Sequence, residues 1–246
     1  MKKDWRVPFG GVLILLSVVL YALNYAIYHD ARDIGFYTLL DLAFLPISVL
    51  LVTLVIHRVL NLHEKQALLT KLNMVIGVFF SEVGNPLLRS LTQFLDRAAD
   101  VRKEFLVTGA WSDAQFAAAR QVFKRQPCRM DSQRGDIEAL RRLLLSKRDF
   151  MLTLLENPNL LEHEAFTDLM WAVLHLAEEL AARGDLTRLS PTDYDHLSGD
   201  MKRAYEYLVA EWVAYMQHLK RAYPYLFSLA VRTNPLDPEA RPEVTA

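Results

Sequence analysis

Val7–Tyr28 (VPFGGVLILLSVVLYALNYAIY) and Phe36–Ile56 (FYTLLDLAFLPISVLLVTLVI) are two long apolar runs that decide the fold. The first run has no charged side chain, and the second has one acid, Asp41, and one proline, Pro46. At a rise of ~1.5 Å per residue, helices of these lengths cross a hydrocarbon core of about 30 Å. Because the linker His29–Gly35 is short, we predict an antiparallel transmembrane hairpin with spans at about 7–28 and 36–56.

Basic residues near the two runs predict the orientation of this hairpin, because lysine and arginine are retained on the cytoplasmic side of a membrane. The linker holds one of them, Arg32, beside the acids Asp30 and Asp33. Several more lie outside the hairpin on its two flanks, namely Lys2, Lys3, Arg6, Arg58, Lys65 and Lys71. We therefore expect a multi-pass protein with both termini in the cytoplasm and the linker outside, and a lipid bilayer as its first partner.

Two polar residues lie inside the predicted spans, Asn24 near the end of the first and Asp41 near the start of the second. Antiparallel geometry puts them at similar depth, so we predict that they form an intramembrane polar pair. The pair has two interpretations: a sensing or ion-contacting site, since ionisable residues within spans often mark function, or a hydrogen bond that ties two helices together near the interface.

The composition of the 246-residue chain excludes several classes of protein. The net charge of −1 gives no electrostatic basis for binding nucleic acid. The single cysteine, Cys128, cannot form an intramolecular disulfide and is typical of a reducing compartment. None of the nine glycines belongs to a phosphate-cradling loop, so no cofactor is predicted.

The remainder of the chain predicts helices only, since no window alternates with the period of a strand. Apolar residues continue at helical spacing beyond the second span, which predicts a juxtamembrane stalk at 57–85 that ends at Gly84-Asn85-Pro86. A cytoplasmic bundle of about six helices is expected at 86–233. The tail 234–246 is rich in proline and without apolar period, and we expect it to be disordered. The predicted fold class is therefore all-α.

Within the bundle, four long helices, and a shorter one from Ser112–Asp113 through Lys124, are predicted from apolar periodicity and capping residues. Ser190 is a good N-cap with proline after it, and Gly184 is a good C-terminal signal. The predicted helices are Leu87–Leu106, Asp136–Glu156, Leu161–Arg183 and a helix from Ser190 to about Ala222.

Two resemblances bear on function. The stretch Ser81–Leu87 (SEVGNPL) resembles the phospho-acceptor box of sensor histidine kinases, but Ser81 stands where the histidine would fall and no nucleotide-binding domain follows, so at most a non-catalytic helical hairpin is implied. The segments Leu72–Gly84, Leu154–Leu180 and Tyr223–Pro235 together resemble uncharacterised bacterial two-span inner-membrane proteins with a helical cytoplasmic domain. This resemblance implies a bacterial inner-membrane location and no activity.

The helix predicted at 161–183 carries the candidate site, because carboxylates and an imidazole on one helical face could bind a metal. We predict the ligands Glu164, Asp168, His175 and Glu179, with His163 or His196 as further donors. The spacing is not that of a di-iron bundle, since no histidine follows a glutamate by three residues. The alternative is a solvated outer face. Trp171 lies among these acids, and we predict that it contacts a partner.

Three hypotheses of function follow. The first is a non-enzymatic, membrane-anchored interaction or signalling module whose helical domain binds a protein partner or itself. The second is a metal-binding or enzymatic helical domain that uses the acidic face of helix 161–183. The third is a small channel or transporter subunit, with Asn24 and Asp41 lining a path in an oligomer. No catalytic motif supports an enzyme, so we favour the first.

Overall fold

The structure, a computed structural model, describes residues 6–28, 31–125, 127–161 and 163–244. The described residues form helices and contain no β-strand, so the predicted all-α class is confirmed. The chain divides into two compact units, Met1–Gln66 and Ala67–Ala246. The helices are α1 (Arg6–Tyr28), α2 (Ala31–Phe79), α3 (Asn85–Thr92), α4 (Ala98–Lys103), α5 (Asp113–Ala119), α6 (Val122–Arg125), α7 (Ile137–Leu155), α8 (Pro158–Leu161), α9 (Glu164–Ala182), α10 (Pro191–Ala222) and α11 (Pro224–Arg232).

The first unit contains α1 and most of α2. Among the residues that the structure describes, one segment could cross a membrane by length and composition, Arg32–Val55 in α2, with a mean hydropathy of 2.3. A shorter apolar segment, Ile14–Ile27, lies in the described part of α1. The large apolar side chains that the structure describes in both segments are exposed on the protein surface, except Ile34, which is partly buried. Pro46 lies inside α2 without ending it.

The second unit is a helical bundle built around α10, the 32-residue helix that packs against α9, α11, α5 and α3. One face of α10 is apolar along its whole length, and its largest buried side chains are Tyr205 and Trp212. Phenylalanines from five other parts of the chain complete the core. The fully buried ones are Phe79, Phe80, Phe94, Phe105, Phe116 and Phe166.

Side-chain caps fix the starts of the long helices. The Asp136 carboxylate accepts a hydrogen bond from the Ala139 N–H (2.8 Å) at the start of α7. The Ser190 hydroxyl accepts one from the Asp193 N–H (3.2 Å) at the start of α10, with Pro191 in the first turn. These caps satisfy donors that the first turn of a helix leaves unpaired, which is why the sequence located both helices well.

The predicted stop at Gly84-Asn85-Pro86 is wrong. The chain continues from α2 through a π-helical turn, Phe80–Gly84, directly into α3. The Asn85 N–H is bonded to the Phe80 carbonyl, five residues earlier, as a π-helix requires. Pro86 then falls in the first turn of α3, where a missing N–H costs little.

The predicted single helix Leu87–Leu106 is also wrong, because the structure divides it into α3 and α4. Between them the backbone leaves the helix and pairs with a distant segment. The Asp96 N–H donates to the Arg129 carbonyl (3.0 Å), and the Asp131 N–H donates to the Phe94 carbonyl (2.9 Å). These bonds accompany an isolated antiparallel bridge between Leu95 and Met130. The side chains of Phe94 and Leu95 are both buried in the core.

The start of the tail needs a correction as well. Asn234 and Leu236, which we expected in a disordered tail, are both 1 % exposed. The Asn234 Nδ2 donates to the Phe105 carbonyl and its Oδ1 accepts from the Leu236 N–H, each at 2.9 Å. A polar side chain with both ends satisfied holds this segment in the bundle, although the local sequence is polar and proline-rich.

Candidate metal site

The candidate site lies where the end of α9 faces the beginning of α10. The two helices are antiparallel, since His175 of α9 approaches Asp200 of α10 while Arg183 approaches Asp193. The connection between them is fixed by its own contacts. Leu186 is buried, and the Tyr194 hydroxyl donates to the Leu186 carbonyl (3.2 Å). Each helix therefore presents residues four apart on the same face to its neighbour.

Two histidine–carboxylate pairs meet here, one on each helix: His175 with Glu179, and His196 with Asp200. His175 Nε2 lies 3.5 Å from Asp200 Oδ2 and 3.8 Å from Glu179 Oε1. His196 Nε2 lies 3.3 Å from Asp200 Oδ2 and 3.5 Å from Glu179 Oε2. We refer to these residues as the four-residue cluster. Ligand atoms of three of them, His175, Glu179 and Asp200, all lie within 4.8 Å of one another.

These distances match the geometry of a bound metal. Around a tetrahedral zinc ion with bonds of about 2.0–2.1 Å, neighbouring ligand atoms lie about 3.3–3.4 Å apart. Three of the four separations between imidazole nitrogens and carboxylate oxygens are 3.3–3.5 Å, close to that value, and the fourth, from His175 to Glu179, is 3.8 Å. The two histidines approach different oxygens of Glu179. Two imidazoles with two carboxylates form a ligand set that suits zinc and other divalent transition metals.

Asp200 is the buried carboxylate of the cluster. Its side chain is 3 % exposed, and its Oδ1 accepts a hydrogen bond from Arg203 Nη1 at 3.0 Å. Its Oδ2, which points at the two imidazoles, is buried and has no hydrogen-bond partner. Burying a carboxylate oxygen without a partner is costly. The oxygen is therefore aimed at a position where a cation, either a metal or a protonated imidazole, would compensate it.

Arg183 supports the cluster from the end of α9. Its guanidinium donates to Glu179 Oε2 (2.6 Å) and makes a two-pronged contact with the Asp193 carboxylate. These hydrogen bonds hold the pKa of Glu179 and that of Asp193 below their usual values, and the Asp193 contact is the first cause of a raised Arg183 pKa. Glu179 is thus held ionised, and its Oε1 remains turned toward His175.

The structure brings together only part of the predicted ligand set. His175 and Glu179 are in the cluster, and so is His196, which we had named as a further donor. Glu164 and Asp168 are exposed on the same helix but lie eleven and seven residues before His175, about 16 and 10 Å along the axis. Glu164 and Asp168 therefore lie outside the cluster, because the polar face of α9 extends over more turns than a single metal site occupies.

His163 has a different role from the one we predicted. Its Nδ1 accepts a hydrogen bond from the Phe166 N–H (3.2 Å), so it caps α9 at the opposite end from the cluster. Trp171 is 62 % exposed on α9, one turn before His175. Its predicted contact with a partner stays a prediction. Asn24 and Asp41 are both exposed on their helices, and their pairing likewise stays a prediction.

Sequence reasoning missed Asp200 and the pairing that makes the site. The sequence did contain a signal, since His-x-x-x-Glu at 175–179 and His-x-x-x-Asp at 196–200 lie on consecutive helices with a short connection. A motif that requires the same pair of ligands on both helices does not detect this arrangement, because one helix carries His–Glu and the other His–Asp. A residue pair four apart on each of two antiparallel neighbours is sufficient to surround one ion.

The fold and the cluster define a class: an all-helical protein with an apolar N-terminal unit and a helical unit that carries a candidate metal site. Comparison with known proteins then gives the family. Residues 68–232 match the family described as Uncharacterized protein MJ1433, C-terminal helical domain, and residues 1–60 match the MJ1433 N-terminal helical domain. The chain belongs to this family.

A relative supports the assignment over almost the whole length of the chain. Uncharacterized protein MJ1433 of Methanocaldococcus jannaschii is 42 % identical over 235 residues, which cover 96 % of this chain and 94 % of the relative. The predicted resemblance to an uncharacterised helical family is therefore confirmed. Its bacterial part has no support here, because this relative is archaeal, and the comparisons do not support its membrane part either. No solved structure matches the chain.

Proposed function

We propose that the protein is a membrane-anchored metal-binding module, in which α9 and α10 hold one divalent transition-metal ion. A single observation carries the proposal: the buried Asp200 Oδ2 has no hydrogen-bond partner and points at two imidazole nitrogens, 3.3 and 3.5 Å away. A metal would accept this oxygen together with His175 and Glu179 of α9 and His196 of α10. The proposal assigns no catalysed reaction.

The charge of the site supports a cation over an anion. Glu179 is held ionised by Arg183, and Asp200 contributes the second carboxylate. Neutral imidazoles offer lone pairs to a metal, and bound carboxylates neutralise a divalent ion. His175 and His196 are about half exposed, so an ion can enter from solvent. A site of this kind exchanges its metal more readily than a closed structural site, which suits sensing.

The rival interpretation of the cluster needs no metal. Protonated His175 and His196 would form ion pairs with Glu179 and Asp200 at the same distances. The two interpretations differ in what they require, because ion pairs need protons and a metal needs deprotonated imidazoles. Protons and a metal ion therefore compete for the same imidazole nitrogens, and binding of a metal should release protons.

The test is metal binding by the full-length protein in detergent micelles. The purified protein is stripped with a chelator and titrated with Co²⁺, whose visible spectrum reports coordination, and Zn²⁺ is then added as competitor. We expect one ion per chain. At a free concentration ~100 times the dissociation constant, the ion adds about 2.7 kcal/mol to the free energy of unfolding.

Matched variants make the test specific. Asp200→Asn and His175→Gln should each weaken binding by more than about 100-fold, since loss of even an outer-shell partner costs ~10–100-fold. Asp168→Asn and Glu164→Gln remove polar groups from the same helix away from the cluster and should leave the affinity unchanged. Equal binding by Asp200→Asn and the wild type, or binding below one ion per chain, would contradict the proposal.

The membrane anchor is the second part of the proposal. Its support is the apolar segment Arg32–Val55, the exposed apolar side chains of α1 and α2, and the basic residues outside the two runs. We propose a hairpin in the cytoplasmic membrane with both termini inside. The helical unit then faces the cytoplasm and can bind a partner there, with the exposed Trp171 as the first contact to test.

Two glycines give a matched test of this topology, because nothing lies within 4 Å of a Cβ built at Gly35 or at Gly109. In intact cells, a membrane-impermeant maleimide should label Gly35→Cys and should not label Gly109→Cys until the cells are lysed. Cys128 is replaced by serine in both variants. Labelling of both positions in intact cells, or extraction of the protein from membranes by alkaline carbonate, would refute the hairpin.

A further inference from the structure

Gly199 is a glycine that the packing of the bundle does not explain. It lies within α10, where glycine destabilises the helix relative to alanine. No atom in the described part of the chain comes within 4 Å of a Cβ built at this position. Its φ does not lie in the left-handed region, so the backbone does not require glycine either. Gly199 therefore lowers the stability of α10 and leaves open space beside the helix.

That space is a groove between α10 and the end of α5 together with α6. Its volume is about 580 Å³, which is within the range of small-molecule sites. Gly199 lies on the α10 wall, and Arg120 and Phe123 lie on the opposite wall. Without a side chain at Gly199, a ligand can approach the helix backbone closely.

The groove carries an excess of positive charge. Arg120, Lys202 and Arg203 line it against one carboxylate, Glu206. That carboxylate is already engaged, since Lys202 Nζ lies 3.9 Å from it and the Cys128 thiol donates to it at 3.5 Å. The Arg120 guanidinium faces the groove, and Arg203 pairs with Asp200 through Nη1 (3.0 Å) and offers its remaining N–H groups to an anion. Guanidinium is the group best suited to a phosphate.

The groove also has two aromatic edges. Phe123 is partly buried on the α6 side, and Tyr207 is partly exposed on α10 two turns after Gly199. Aromatic rings at the side of a cationic groove can stack with planar rings of a ligand. A bare phosphate would leave these rings unused.

We propose that this groove binds a small phosphorylated compound with a planar ring, with the phosphate between Arg120 and Arg203 and the ring against Phe123 and Tyr207. The site is distinct from the four-residue cluster and does not depend on the metal. The two are neighbours in sequence, since Gly199 precedes Asp200 and Arg203 donates to the other oxygen of that carboxylate.

The test uses calorimetric titration of the full-length protein in detergent micelles with ADP, in the presence of a chelator so that the metal site takes no part. Pyrophosphate and adenosine, the two halves of the probe, are titrated separately. We expect ADP to bind at least tenfold more tightly than either half, because it alone meets both the cations and the rings.

Variants locate the binding. Gly199→Trp fills the groove and should weaken ADP binding at least tenfold, while Gly199→Ala adds one methyl group to open space and should bind ADP within threefold of the wild type. Arg120→Gln, on a different element and on the surface, tests the charge if Gly199→Trp fails to fold, and should weaken binding by at least fivefold. Absence of ADP binding, unchanged binding by Gly199→Trp and Arg120→Gln, or equal binding of adenosine and ADP overturns the proposal.

Discussion

Replacement of Asn234 by alanine should destabilise the helical unit, although the residue lies close to the C-terminus. The side chain satisfies two backbone groups, the Phe105 carbonyl and the Leu236 N–H, each at 2.9 Å, and is 1 % exposed. The Phe105 carbonyl also accepts from the Val107 N–H, so it keeps one partner after the substitution. The Leu236 N–H has no second acceptor in the described structure and is left buried and unpaired.

The expected magnitude follows from this difference. An unpaired buried donor costs about 1–3 kcal/mol, and loss of the second hydrogen bond costs about 0.5–1.5 kcal/mol. Asn234→Ala should therefore lower the free energy of unfolding by about 2–4 kcal/mol. The half-buried neighbour Thr233 is the control, because its hydroxyl donates only to the Leu229 carbonyl of the adjoining helix α11. Thr233→Ala should cost less than about 0.5 kcal/mol.

The assay is urea unfolding of the full-length protein in detergent micelles, followed by tryptophan fluorescence. Hydrogen exchange gives a second measurement, since the Leu236 amide should be protected in the wild type and exchange rapidly in Asn234→Ala. A destabilisation below about 0.5 kcal/mol, with a Leu236 amide that exchanges rapidly in the wild type, would refute the burial of this segment and return it to the disordered state that its composition predicts.

Three further predictions concern the helical unit. Gly84→Ala should destabilise it by about 1–3 kcal/mol, since the new Cβ would lie 2.9 Å from Cε1 of the fully buried Phe80. The control is Gly109→Ala, because nothing lies within 4 Å of a Cβ built there. It should change stability by less than about 0.5 kcal/mol in the same urea assay. Burial raises the pKa of Glu211 above the ordinary 4.5. With respect to this group, the folded state is therefore most stable below pH 4.5, where Glu211 is protonated in both states, and loses stability as pH rises through the folded pKa. Unfolding at several pH values should show this decline in the wild type and not in Glu211→Gln. Burial also raises the pKa of the Cys128 thiol to about 12, so alkylation at neutral pH should be at least about 100-fold slower in the native than in the urea-unfolded protein, and equal rates would contradict the buried position.

The long helices of the bundle could be predicted from sequence, because the signals that specify them are local. Asp136 and Ser190 cap their helices through contacts three residues away, and the apolar period of α10 matches its buried face. Local signals also gave the candidate helix α9 with two of the cluster residues, His175 and Glu179, and His196 was named as a further donor.

The rest could not be predicted because it depends on contacts between distant segments. The break after α3 comes from backbone bonds to residues 129 and 131, more than thirty residues away. Asn234 is ordered by a carbonyl 129 residues away in sequence. Asp200 becomes a candidate ligand only through the antiparallel register of α9 and α10, which periodicity within either helix does not contain.

The origin of all four cluster residues in one helical hairpin has a consequence for the order of events during synthesis. His175 and Asp200 are separated by a short connection, and closing a loop of about ten residues takes roughly 10–100 ns. Contacts that are local in sequence form quickly, whereas those of Asn234 must wait for the C-terminus. At a synthesis rate of ~5–20 residues per second, both histidine–carboxylate pairs are synthesised before the last helix, α11. The ion that we propose for the cluster would therefore need only this hairpin, and not the completed bundle, in order to bind.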